Sequence, residues 1–132
     1  MTDLRALTPD NFDAQSRSDS TPMIVDFWAP WCGSCRLLTP TVNKLAAELD
    51  GRARFSKVDV GDFPEMAERL GVMSIPTLVL YRSGKEVTRV SGARGFQALL
   101  DEFLPYLPTS RPVDPQFRSY VSSSLATERF PQ

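Results

Sequence analysis

The chain has 132 residues, 42% of them hydrophobic and 23% charged, an ordinary globular balance for one domain. A domain of this length buries roughly two thirds of the surface its unfolded chain exposes, so it needs no disulfide staple. Its 15 Lys plus Arg against 16 Asp plus Glu leave a net charge of -1, which excludes a basic nucleic-acid footprint, and no apolar run reaches membrane-span length.

Residues 1–22 are polar and mixed, with a possible short strand near Leu4 to Leu7. They carry neither a basic start nor an apolar core of a secretory signal, which sets the expectation of a cytoplasmic chain. Thr8-Pro9-Asp10 reads as a helix start, with Phe12 as its inward anchor. Met23 to Trp28 is a short apolar run, the pattern of a strand buried on both faces, interrupted only by Asp26. Then comes Ala29-Pro30-Trp31-Cys32-Gly33-Ser34-Cys35. Leu37, Leu38, Thr41, Val42, Leu45, Ala46 and Leu49 follow at helical spacing. Pro40 lies inside that helix and is expected to kink it, and Asp50-Gly51 ends it.

Ala53 to Val60 reads as a second strand, and Pro64 to Leu70 as a short helix stopped by Gly71. Thr77 to Tyr81 and Val87 to Ser91 read as a hairpin through Ser83-Gly84. Phe96, Leu99, Leu100, Phe103, Leu104 and Leu107 give one amphipathic helix. Strands separated by helices imply a parallel half, and the hairpin implies an antiparallel half. The expected architecture is therefore an α/β fold, a central mixed sheet with helices on both faces. Residues 108–132 hold four prolines and seven Ser or Thr, a mostly disordered composition. Phe117, Tyr120, Val121 and Leu125 also allow a short docked helix there.

Histidine is absent, which removes Ser-His-Asp and Cys-His catalysis and imidazole metal ligands. The only cysteines are Cys32 and Cys35. A closed zinc site needs four ligands, and beyond these thiols the chain offers only carboxylates, so no metal is expected. Two thiols three positions apart at a helix start can alternate between dithiol and disulfide. The helix N-terminus favours a thiolate. The more solvent-facing Cys32 then attacks a partner disulfide, and the deeper Cys35 resolves the mixed disulfide. The bland alternatives are two small buried hydrophobes or half of a metal site. Asp26 is a carboxylate in a buried strand, so desolvation should raise its pKa.

Val25-Asp26-Phe27-Trp28-Ala29-Pro30-Trp31-Cys32-Gly33-Ser34-Cys35 resembles the active-site segment of the thioredoxin family. Phe12-Asp13, Pro40, Lys57-Val58-Asp59, Gly71-Val72, Ile75-Pro76-Thr77, Gly84 and Gly92 fall where that family places such residues. The resemblance covers residues 1–107 as one domain, and residues 108–132 lie outside the pattern as an extension. It implies the thioredoxin fold and a protein disulfide reductase with no bound cofactor. Its electrons would come from NADPH through thioredoxin reductase. The expected partners are that reductase and disulfide-containing client proteins, with the chain acting as a monomer in the cytoplasm. The resemblance gives Asp26 the role of accepting the Cys35 proton and sets Lys57 facing it from the next strand. It makes the Ile75-Pro76 bond cis, offering the Ile75 backbone to an extended partner segment. It also makes Trp31, Gly33, Ser34, Ile75, Pro76, Gly92 and Ala93 a docking surface around Cys32. Trp28 is expected to shield the pair.

Two residues depart from the family pattern. Ser34 replaces the usual proline, and its hydroxyl can donate to a Cys32 thiolate and make the couple less reducing. Arg36 stands where lysine is usual and keeps the positive charge. No histidine lies between the cysteines, unlike in the oxidising and isomerising relatives. Disulfide isomerase or oxidase activity, and a partner-binding holdase on the same scaffold, are the competing readings.

Overall fold

The structure is a computed structural model. It describes residues 4–18 and 20–109. The elements in chain order are β1 (Arg5–Leu7), α1 (Phe12–Ser16), β2 (Met23–Trp28), α2 (Gly33–Glu48) and β3 (Arg54–Asp59), followed by α3 (Pro64–Leu70), β4 (Thr77–Arg82), β5 (Lys85–Ser91) and α4 (Phe96–Phe103). A 3₁₀ turn, Leu104–Tyr106, extends α4. The sheet order is β1-β3-β2-β4-β5. β3 pairs parallel with β1 and β2, while β4 pairs antiparallel with β2 and β5. This is the mixed sheet expected from the alternation of strands, helices and a terminal hairpin.

β2 is the central strand, and its alternation supplies both cores. Ile24 packs with Leu38, Val42 and Leu45 of α2, and with Leu99 and Phe103 of α4. Met23, Val25 and Phe27 point to the other face, against Phe12 of α1 and Met66 of α3. Burying apolar side chains on both faces of one strand is what the uninterrupted run Met23–Val25 encodes. Asp26 shares the face of Ile24 and Trp28, beneath α2.

The β4–β5 hairpin turns through Ser83 and Gly84, both at positive φ (52° and 82°). That is the backbone of a two-residue primed turn, whose twist matches the flanking strands. Gly71 closes α3 at φ 70°, with the Val72 N–H donating to the Ala67 carbonyl at 2.8 Å.

Three expectations shift. The Thr8-Pro9-Asp10 segment forms a turn, tied by the Thr8 N–H donating to Asn11 Oδ1 at 2.8 Å, and α1 begins only at Phe12. The C-terminal helix stops at Phe103 and tightens to 3₁₀ geometry, because Pro105 lacks a backbone donor. Leu37 is 79% exposed, so it leaves the apolar stripe of α2 and faces solvent. Pro40 sits within α2, which runs from Gly33 to Glu48. The docking pattern from Phe117 to Leu125 lies outside the described residues.

Candidate active site

Cys32 is the N-cap of α2, in extended conformation, and its sulfur accepts the Cys35 N–H at 3.1 Å. The helix therefore aims unpaired N–H groups and its positive end at this sulfur, the arrangement that stabilises a thiolate. Cys32 and Cys35 are joined as a disulfide with their Cα atoms 5.2 Å apart. Cys32 is 7% exposed and Cys35 3%. The loop before them is held by the Cys32 N–H on the Ala29 carbonyl, at 3.1 Å, and by the Arg36 guanidinium on the Pro30 carbonyl, at 2.7 Å. Ser34 Oγ lies 3.6 Å from Cys32 Sγ.

The sulfurs share a small cluster with Ala29, and Trp28, Val60 and Ile75 pack against it. Ile75-Pro76 is a cis peptide. Two loops are tied together at that point. The Gly92 N–H donates to the Pro76 carbonyl at 2.8 Å. Thr77 Oγ1 donates to the Ser74 carbonyl at 2.7 Å and lies 3.2 Å from Ser91 Oγ. Trp31 is 72% exposed, and Gly33, Ser34, Gly92 and Ala93 are exposed as well. Sequence-distant residues 31–35, 75–76 and 92–93 thus converge on one end of the sheet, Ile75 touching the sulfur cluster and Gly92 bonded to Pro76.

Asp26 lies beneath, in register with Lys57 on the adjoining parallel strand. Both line a cavity of about 260 Å³, together with Trp28 and Asn43. Asp26 Oδ1 and Trp28 Nε1 have no hydrogen-bond partner among the described residues. Burial pushes the Asp26 carboxyl up from 3.8 to about 7, and the Lys57 ammonium pulls it partly back. Lys57 Nζ also stands 5.2 Å from the Trp28 ring centroid, a cation–π distance. A carboxylate tuned near neutrality is an effective proton acceptor at physiological pH.

Some site residues escaped the sequence reading. Gly61 abuts Trp31: a Cβ there would come within 3.2 Å of Trp31 Nε1 and 3.0 Å of Asp59 Oδ1. The glycine leaves room for the indole beside the β3–α3 turn, where Asp59 Oδ1 accepts the Gly61 and Asp62 N–H groups at 2.8 and 3.2 Å. Its signal was the Asp-Val-Gly-Asp turn composition alone. Met73, 96% exposed, adds apolar surface at this end and no periodicity marks it, while Leu37, which helical spacing assigns to the core, is 79% exposed. Among the described residues, no cluster of three or more His, Cys, Asp or Glu is placed to hold a metal ion.

The thioredoxin family model matches residues 3–104. The chain is 39% identical over 102 residues to a thioredoxin of Mycobacterium tuberculosis, covering 77% of this chain and 88% of that one. It is also 39% identical over 102 residues to a bifunctional thioredoxin reductase/thioredoxin of Mycobacterium leprae, spanning 77% of this chain but only 22% of that longer protein. The crystal structure of oxidised mitochondrial thioredoxin 3 from Saccharomyces cerevisiae superposes with a TM-score of 0.68 at 30% identity, covering 75% of this chain and 92% of the other. No helix among the described residues is long and apolar enough to cross a membrane. The match spans both halves of the sheet and the cysteine-bearing junction between them, and on that ground the chain belongs to the thioredoxin family, protein-disulfide reductases that act by dithiol–disulfide exchange.

Proposed function

We propose the following division of labour for the exchange reaction. The Cys32 thiolate attacks a client disulfide. A Cys32–client bond forms, and the client's other sulfur leaves as a thiolate. Asp26 takes the proton of Cys35, whose sulfur attacks Cys32 and releases the second client thiolate. The client gains two electrons, and the chain is left as the Cys32–Cys35 disulfide. Lys57 moderates the Asp26 charge across the shared cavity. Trp31, Gly33, Ser34, Ile75, Pro76, Gly92 and Ala93 form the face on which clients dock, with the Ile75 backbone pairing to an extended client segment.

The observation that carries this reading is the seating of the pair. One sulfur caps a helix N-terminus at the surface end of a strand, and a carboxylate tuned to about 7 lies in the same strand below it. Residues 1–107 form the exchange domain, with residues 108–132 appended to it. Electrons reach the disulfide from NADPH through a thioredoxin reductase, and a reducing cytoplasm suits a catalytic rather than structural cysteine pair. The chain works as a monomer, without a bound cofactor. Insulin-disulfide reduction with NADPH and a thioredoxin reductase tests the assignment. Cys32→Ser abolishes turnover, and Cys35→Ser accumulates a covalent client adduct through Cys32. An adduct through Cys35 in the Cys32→Ser chain at equal yield would reverse the roles.

A further inference from the structure

We propose that Met73 is an oxidation site whose conversion to the sulfoxide weakens protein docking at the redox face, an inference that rests on the docking-face reading above. Met73 is 96% exposed, whereas Met23 and Met66 are 0% and 1% exposed in the core beneath α1 and α3. Met1 lies outside the described residues. A dissolved oxidant therefore meets the Met73 sulfur freely and the two core sulfurs only through unfolding.

Its position gives the exposure a consequence. Val72 is buried on one side of Met73, and Ile75 packs on the Cys32–Cys35 cluster on the other. Thr77 Oγ1 holds the Ser74 carbonyl between them at 2.7 Å. The loop is anchored at both ends, and Met73 stands within roughly 7 Å of Ile75 along the chain. Trp31 and Leu37 present apolar surface at the same end of the sheet, 72% and 79% exposed. An apolar side chain held almost wholly in water adds nothing to the core. A flexible, polarisable thioether does suit an adaptable binding surface.

The chemistry is a two-electron oxygen transfer from a peroxide. The thioether sulfur attacks one peroxide oxygen, the O–O bond breaks, an S–O bond forms, and the peroxide is reduced to water. The product is polar and chiral where the docking face was apolar. The exchange sulfurs are spared when they are already joined as the disulfide, so among the described residues Met73 is the exposed soft sulfur of the oxidised carrier.

The full chain in its disulfide state is treated with dilute hydrogen peroxide and mapped by peptide mass. The gain of one oxygen on the Met73 peptide is expected well before any on those of Met23 or Met66. After reduction by dithiothreitol, the rate toward insulin falls about fivefold. The rate toward glutathione disulfide, too small to use the face, stays the same. Methionine sulfoxide reductases A and B restore the insulin rate, and a Met73→Leu chain keeps its own rate through the peroxide treatment. Equal oxidation of Met23 or Met66, an unchanged insulin rate with Met73 fully oxidised, or equal sensitivity of Met73→Leu each overturns the proposal. Trp31→Ala separates the two layers. If it slows insulin reduction while the Met73 sulfoxide does not, only this inference falls; if it too leaves the rate intact, the docking face falls with it.

Discussion

The two faces of β2 carry opposite kinds of chemistry. Toward α1 and α3 the strand presents Met23, Val25 and Phe27, all at 0% exposure and all apolar. Toward α2 it presents Ile24, then Asp26 and Trp28, whose buried polar atoms have no partner among the described residues and border a cavity of about 260 Å³. One face is packed for stability. The other holds a buried carboxylate whose ionised form burial disfavours, in the strand that leads to the sulfur pair. Stability and function are separated by a single residue step along the strand, because successive side chains point to opposite faces.

That contrast predicts stability changes of opposite sign. Phe27→Ala empties a fully buried site and lowers unfolding free energy by about 3–5 kcal/mol at every pH, read by urea denaturation. Asp26→Asn has the reverse effect, and only in one pH range. Because the folded-state pKa is raised, the folded chain keeps a proton between 3.8 and about 7 that the unfolded chain has released. Stability therefore falls as pH climbs through that window, and the penalty is complete above it. Removing the titration should raise stability on the order of 4 kcal/mol at pH 8 and leave it nearly unchanged at pH 3. A gain of equal size at pH 3 would mean that packing, not charge, is responsible.

The same variant sharpens the functional half of the contrast. If Asp26 accepts the Cys35 proton, the rate of mixed-disulfide resolution in the native chain rises as pH passes about 7, and in Asp26→Asn that rise disappears. An identical pH profile in both chains would leave the carboxylate a structural passenger. The smallest effect is expected at Ser34, whose hydroxyl lies 3.6 Å from Cys32 Sγ. A hydrogen bond to the thiolate stabilises the reduced form and raises the potential. Ser34→Pro should lower the potential by up to roughly 30 mV, equivalent to about 1.4 kcal/mol, in a titration against glutathione buffers. A rise would remove the hydroxyl from the account.

Local pattern was enough to read the order of strands and helices, the cysteine pair at a strand–helix junction, and the conflict of a carboxylate in an apolar run. Each of these is written in neighbouring residues: the alternation of β2, the helical period after Cys35, the Ser83-Gly84 turn. The resemblance to a family, carried by several separated segments, supplied the expectation that Pro76 and Gly92 lie around Cys32; the structure bonds Gly92 to Pro76 and packs Ile75 on the sulfurs. Only tertiary structure decided the rest. Asp26 and Lys57 are in register as the resemblance implied, but the cavity they share with Trp28 and Asn43 is a product of long-range packing. Leu37 falls on a helical apolar stripe by spacing yet faces solvent, because α2 turns its Leu38–Val42–Leu45 side to the sheet. Gly61 matters because the Trp31 indole arrives beside it, and Met73 because its loop is pinned at the redox end. Periodicity records which side of an element is apolar; which neighbour fills the space beyond that side is set by long-range packing, where no short stretch of sequence carries the information.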